Sequence, residues 1–401
     1  MIDNNTPVQE NSNIGQTLPQ LPAGQGKTMQ AGAMAQAVTP NMVPAQVTGT
    51  PQSDQRGGQP DGEEQQEPDF ALEQAWSYFQ DGGFEKDVID FQSCSSLVTG
   101  YKLLDCIQPF YPAFYCLGAI SSLGKTTFSI QLADQVATTG KFVLYFSLEQ
   151  TAFELFSKSL ARGFLKTNLA ETRKNNRPST YPTPTSMDIR KGLFSSYPQE
   201  MGSQVHNYIQ NVSNRMCIIH GAFSVTVEDI QSITCQFIEQ FGVKPVVIVD
   251  YLQIVAPSLI NGRILDTKTS IDHIVHTLKA MQSKLGVTVL AISSLNRQSY
   301  LNPIDFESFK ESGGIEYTAD VIWGLQLSIF NDMGFYYHYD NQGRKMGETS
   351  QKEKREMVKQ AKASSCRNID LVCLKNRYGC SSYSVSFEYY PASDLFTHPD
   401  D

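Results

Sequence analysis

Residues 114–140 read FYCLGAISSLGKTTFSIQLADQVATTG: an apolar run, a turn of small residues ending in Gly-Lys-Thr, then an amphipathic run. This stretch constrains the chain more than any other. A hydrophobic strand entering such a turn fixes its position. A helix leaving it aims backbone N–H donors and the positive end of its dipole at an anion. Ala119 is the small residue that opens the turn, five positions before Gly124, and Phe128, Leu132 and Val136 recur at helical spacing before Gly140 stops the helix. A second Gly-Lys-Thr occurs at Gly26-Lys27-Thr28, but its opening position is Leu21, with no aliphatic strand before it and no amphipathic helix after it. The first triplet in the chain is therefore read as a coincidence and the second as a phosphate-binding loop.

The 401 residues would allow two or three domains by length. Residues 1–69 are dense in Gln, Pro, Gly and Asn and lack aromatic side chains, so they bury too little apolar surface to offset ordering and are expected to be a disordered tail. They carry eight acids (Asp3, Glu10, Asp54, Asp61, Glu63, Glu64, Glu67, Asp69) against Lys27 and Arg56, a net of −6. Of the overall −9, only −3 belongs to the remainder, so the acidity does not exclude a nucleic-acid partner that meets a local basic cluster. The start MIDNNTPVQE has neither a basic nor an apolar character of a secretory signal, and no run approaches the roughly 18 apolar residues of a membrane span, so a cytoplasmic location is expected. Eight cysteines form no C-x-x-C pair and read as reduced, buried thiols.

Residues 70–96 read as a helical linker or arm, with Phe70, Leu72, Ala75, Trp76 and Phe79 mostly on one face. From about Tyr101 strand-like runs alternate with helical ones. The strands are FYCLGAI, KFVLYFSLE, RMCIIHG, PVVIVDYLQIV, VTVLAISSL, DVIWGLQLS, IDLVCLKNR and YSVSFEYY. Continuously apolar strands between helices predict an α/β domain over 97–395, with a mainly parallel sheet covered on both faces. The last strands, joined by shorter connections, read as an antiparallel extension. Residues 166–205 and 331–365 read as surface insertions.

The chemistry follows from the loop. Lys125 is placed to meet the β- and γ-phosphates of a nucleoside triphosphate, and Thr126 supplies a hydroxyl to Mg²⁺. The remaining loop residues Ala119, Ser121, Ser122, Leu123, Gly124 and Thr127 would surround the phosphates. PVVIVDYLQ ends a buried strand with Asp250 at the carboxyl edge, where open α/β sheets bind ligands, and this is the second expected Mg²⁺ ligand. An ordinary turn aspartate is the plainer alternative. VLYFSLEQ ends another strand with Glu149, which either deprotonates water or caps a helix. Asp272, His273 and His276 in DHIVH raise a metal site against an ordinary packing helix, and the helix is preferred.

The segments GAISSLGKTT, FSLEQTAFELFSKSLAR, VVIVDYLQIV, AISSLNRQS, FKESGGIEYTADVIWGL and LKNRYG occur in the order and spacing of the C-terminal motor domain of the DnaB-type replicative helicases, which residues 97–390 resemble. The resemblance implies a RecA-like P-loop NTPase fold, ATP and Mg²⁺ as cofactors, single-stranded DNA as partner, a hexameric ring, and a primase or helicase loader as further partner. It implies Glu149 as the base that activates water, and Lys375 and Arg377 as cations reaching the γ-phosphate of the next subunit. Without it, those two cations read as solvated surface charge. It also implies Lys310, Glu311 and Gly313 as contacts to the single-stranded backbone.

Ser294 stands where the family has a glutamine that senses the γ-phosphate; Gln253 is the other expected sensor position. The family's helical collar has no counterpart before residue 97, where the tail stands instead, and an origin in a phage or mobile element is expected on that ground. The function expected is an ATP-driven, ring-forming DNA helicase. The alternatives are a RecA-like DNA-dependent ATPase that loads or assists recombination without unwinding, and a catalytically weak interaction subunit, which the intact Lys125, Thr126, Glu149 and Asp250 disfavour.

Overall fold

β1 (Phe114–Ala119) is buried along its whole length, and every other part of the domain is arranged about it. A computed structural model describes residues 78–94, 97–221, 224–260, 263–309 and 312–398. The chain divides into two units, 1–69 and 70–401. The expected tail and its Lys27 lie outside the described residues, and all the elements named below belong to the second unit.

Along the chain come helix α1 (Gly83–Cys94), the short helix α2 (Lys102–Ile107), β1, α3 (Lys125–Thr138), β2 (Val143–Ser147), α4 (Ala152–Asn175), α5 (Ser186–Arg190), α6 (Pro198–Asn211) and β3 (Met216–His220). Then follow α7 (Val227–Phe241), β4 (Val246–Asp250), a hairpin of β5 (Leu259–Ile260) and β6 (Arg263–Ile264), α8 (Thr267–Leu285), β7 (Thr288–Ser294), α9 (Ser312–Thr318) and β8 (Val321–Leu327). The last part holds α10 (Met333–Tyr336), a hairpin of β9 (Tyr337–Tyr339) and β10 (Lys345–Glu348), α11 (Gln351–Ala363), β11 (Arg367–Asn376), β12 (Ser384–Tyr390) and β13 (Leu395–Thr397).

One nine-stranded sheet has the order β13-β12-β11-β8-β1-β7-β4-β2-β3. The six strands from β8 to β3 are parallel, and β11, β12 and β13 extend them antiparallel. All eight strands expected from the sequence are present; β13 and the two hairpins are additions. β2, β4 and β8 are buried throughout, as continuous apolar strands covered on both faces must be. From β1 the chain moves outward to β2 and β3, then returns to β4, β7 and β8. Right-handed crossovers in the two directions put α3 and α4 on one face and α7, α8 and α9 on the other.

Local chemistry fixes the helix ends. Thr151, Thr226 and Ser350 open α4, α7 and α11 as capping boxes with Glu154, Asp229 and Glu353, and Gly242 and Gly286 close α7 and α8 in the left-handed region. Residues 166–205 continue α4 and add α5 and α6, with a small apolar cluster of Ala161, Phe164, Ile189 and Met201. Seven described cysteines are free thiols, but only Cys116 and Cys373 are buried. Cys106, Cys217 and Cys380 are exposed, on a short helix, the edge strand β3 and a turn, so the buried-thiol expectation fails there. Among the described residues no helix is long and apolar enough to cross a membrane.

Candidate nucleotide site

The carboxyl ends of β1, β2, β4 and β7 share one edge, and a cleft of about 620 Å³ opens there. Ala119, Ser121, Ser122, Gly124, Lys125, Thr126, Thr127, Glu149, Asp250 and Ser294 all line it. Leu123, in the middle of the loop, is buried instead and anchors the loop to the core. Gly124 has φ +87°, and a Cβ there would lie 2.8–2.9 Å from the rings of Tyr389 and Phe396, so the turn into α3 needs a glycine.

Lys125 donates from Nζ to the carbonyl of Ala119 at 2.8 Å. Burial pushes its pKa down, against the opposing pull of Asp250 and Glu149. A half-buried ammonium held by one backbone carbonyl is suited to an anionic partner. Asp250 is 3% exposed and accepts the Tyr145 hydroxyl at 3.0 Å; that hydroxyl also meets Ser129 Oγ at 2.7 Å. Burial pushes Asp250 up to about 6, while hydrogen bonds from Thr126 and Tyr145 pull the other way. A hydroxyl and a carboxylate side by side form an oxygen donor set of the kind hard Mg²⁺ takes, so the residues fit that ion. The Thr127 hydroxyl is turned away to Asp394 at 2.8 Å, leaving its backbone N–H for a phosphate.

Glu149 is exposed at the rim and acts electrostatically on both Lys125 and Asp250. It is not a helix cap: the acid of the capping box of α4 is Glu154, 2.9 Å from the Thr151 N–H. The Gln253 amide ties the neighbouring strand end in place, donating to Ser293 Oγ at 3.0 Å and accepting the Ser294 N–H at 3.1 Å.

Lys375 and Arg377 do not line the cleft. β11 runs antiparallel, and its register puts Lys375 and Asn376 beside Ile322 and Val321, at the start of β8. Val321 is level with Tyr115, four residues before Ala119, roughly 13 Å along the sheet at about 3.3 Å per residue. Lys375 Nζ contacts the Glu316 carbonyl at 2.5 Å, and Arg377 Nη2 and Nη1 reach the Tyr317 carbonyl at 2.8 Å and Asp320 at 3.3 Å. Lys310 and Glu311 lie outside the described residues; Gly313 is in α9, with open space beside it.

Tyr300, Arg367 and Tyr389 also line the cleft and escaped the sequence reading. Tyr389 was accessible in principle, because Val385, Phe387 and Tyr389 alternate toward the buried face of β12. Arg367 had no such signal, since it follows a charged stretch that reads as solvated surface. DHIVH falls within α8, where His273 contacts Glu228 at 2.8 Å, and no metal-binding group of His, Cys, Asp and Glu occurs among the described residues.

The family model for the DnaB-like helicase C terminal domain matches residues 96–389. The replicative DNA helicase DnaB of Geobacillus stearothermophilus is 26% identical over 260 residues, 63% of this chain and 48% of the relative. That of Pasteurella multocida is 29% identical over 255 residues, 61% and 48%. The chain thus spans about half the length of the curated relatives it matches. Among solved structures, the ATPase domain of G40P superposes with a TM-score of 0.59 at 20% identity, covering 82% of this chain and 99% of that one. A DnaB-like replicative helicase studied with primase gives 0.57 at 20%, covering 84% and 67%. Both show the fold.

Proposed function

Because the chain belongs to the DnaB-like helicase C-terminal domain family, we propose that it is an ATP-driven DNA helicase motor that works as a ring on single-stranded DNA. One observation carries this reading. Lys125, Thr126, Glu149 and Asp250 share a cleft, whereas Lys375 and Arg377 sit at the opposite edge of the same sheet. On this reading a complete site needs two copies, one supplying the cleft and the next supplying the cations.

Within the cleft, Lys125 binds the terminal phosphates and Glu149 takes a proton from the attacking water. Thr126 and Asp250 would hold Mg²⁺, which neutralises charge on the phosphoryl group when bound. Arg377 suits the remaining task, since a guanidinium stays charged and donates two parallel bonds to phosphate oxygens. Lys310, Glu311 and Gly313 are proposed as the contacts to the DNA backbone, and a primase or loader as a further partner.

The decisive experiment mixes two disabled proteins. Arg377→Ala and Glu149→Gln should each lose most turnover, with Glu149→Gln lower by roughly two to four decades and still binding ATP. Mixed, they should recover part of the activity, because some junctions pair an intact Glu149 with an intact Arg377. No recovery, with turnover independent of concentration, would sink the ring.

The second reading is a DNA-dependent ATPase without unwinding. Ser294 favours it, because its short side chain replaces a longer sensor amide. Strand displacement on a forked duplex separates the two.

A further inference from the structure

Two cations of the same subunit stand over the phosphate loop. Lys362, in the last turn of α11, donates to the Ser121 carbonyl at 3.0 Å. Arg367, the first residue of β11, donates from Nη1 to the Ser122 carbonyl at 2.8 Å. These carbonyls belong to consecutive residues at the tip of the loop, where Ser122 adopts φ +67°. Among the described residues neither cation has a carboxylate within ion-pair distance. Arg367 Nε is enclosed and has no acceptor among the described residues.

Aromatic rings set both directions. Lys362 Nζ lies 5.5 Å from the centre of the Tyr300 ring, and the Arg367 guanidinium 5.8 Å from that of Tyr389, its partner across the β11–β12 pair. Both rings line the cleft. Burial and the charge of Arg367 push the pKa of Lys362 down. Three cations, Lys125, Lys362 and Arg367, thus converge on one loop, each hydrogen-bonded to one of its neutral carbonyls.

We propose that Arg367 and Lys362 are phosphate-contacting residues supplied by the subunit's own chain, exchanging the Ser122 and Ser121 carbonyls for oxygens of a bound nucleoside triphosphate. The inference rests on the reading of the cleft as a nucleotide site. Both donors are already charged, and an anionic phosphate oxygen adds Coulomb attraction that a neutral carbonyl lacks, so the exchange is favourable. The free Nε completes the guanidinium fork that two phosphate oxygens can occupy. The charged segment 331–365 is then not merely surface: α11 packs on β11 and on the 3-10 turn Arg297–Leu301, which carry the cleft-lining Arg367 and Tyr300. These cations act within a subunit, unlike Lys375 and Arg377.

The test is binding of a fluorescent ATP analogue to dilute, DNA-free protein in an Arg377→Ala background, with ATP, ADP and AMP as competitors. Arg367→Ala and Lys362→Ala should each weaken ATP about tenfold, ADP less and AMP least, while thermal unfolding without nucleotide moves little. Arg367→Lys, which keeps the charge and loses the fork, should retain part of the affinity and guards against a misfolded alanine variant. Equal losses for all three nucleotides, or ATP affinities within about twofold of the parent, would assign the cations to bracing the loop and overturn the proposal. Failure of the parent to bind ATP is a different outcome, which removes the nucleotide reading and this inference with it.

Discussion

At the scale of single residues, Asp250 shows how position creates chemistry. Its carboxyl is enclosed by the ends of β2 and β4 and pushed up to about 6 from an ordinary value of 3.8. The folded chain therefore binds this proton more tightly than the unfolded chain does. The stability so gained, about 3 kcal/mol, is complete below about pH 4 and is lost as pH rises through about 6. Asp250→Asn should abolish turnover yet raise the melting temperature of the nucleotide-free protein at pH 7.5, with the difference shrinking toward pH 4; calorimetry across pH checks it. A lower melting temperature at pH 7.5 would mean that Asp250 is a structural anchor. Asp250 itself was legible, since a run of buried β-branched residues ends on it. Its environment was not, because Tyr145 comes from the neighbouring strand, 105 positions away.

At the scale of elements, the path from the nucleotide edge toward residue 310 is a series of short links. Gln253, just after β4, holds the end of β7 through Ser293 and Ser294. Leu295 then bridges to Phe309, and the Asn296 N–H donates to the Ser308 carbonyl at 2.8 Å. The Phe309 ring lies over β1, where a Cβ on Gly118 would approach it to 2.5 Å. The expected DNA loop thus begins on a segment pinned to β1 and β7. Gln253→Ala should reduce the stimulation of ATP turnover by single-stranded DNA about 5- to 150-fold, the span of ordinary coupling energies; unchanged stimulation would show that the signal travels elsewhere. The strands and capped helices could be read from the sequence because period and cap residues are local signals. β13 and the packing of α11 beside the cleft-lining Arg367 and Tyr300 could not: three residues carry no period, and a charged helix looks the same near a site as over solvent.

At the scale of the molecule, the proposed function turns the separation of the two cation sets into a requirement for assembly. Within one subunit Arg377 is occupied by Asp320 and the Tyr317 carbonyl, and Asp320 also holds Lys279 at 2.7 Å and the Phe114 N–H at 2.9 Å. Turnover per subunit should fall steeply on dilution below the assembly threshold, measured alongside mass by light scattering. Constant turnover from a protein that scatters as a monomer would remove the need for a neighbour. Phe79, Phe84 and Ile89, exposed around α1, are apolar side chains that such a neighbour could cover. The same long-range construction governs how the site comes into being. Gln131 of α3 exchanges hydrogen bonds at 2.7 and 2.9 Å with the backbone of Phe396, and Asp394 binds Thr127, Lys158 and the Arg162 guanidinium. The helix leaving the phosphate loop is thus fastened by residues translated 265 positions later. At about 5–20 residues per second, the ribosome needs roughly 13–50 s to deliver them. Throughout that interval the nascent chain holds an unfastened phosphate loop, so a polypeptide interrupted before residue 394 leaves the ribosome without a finished site.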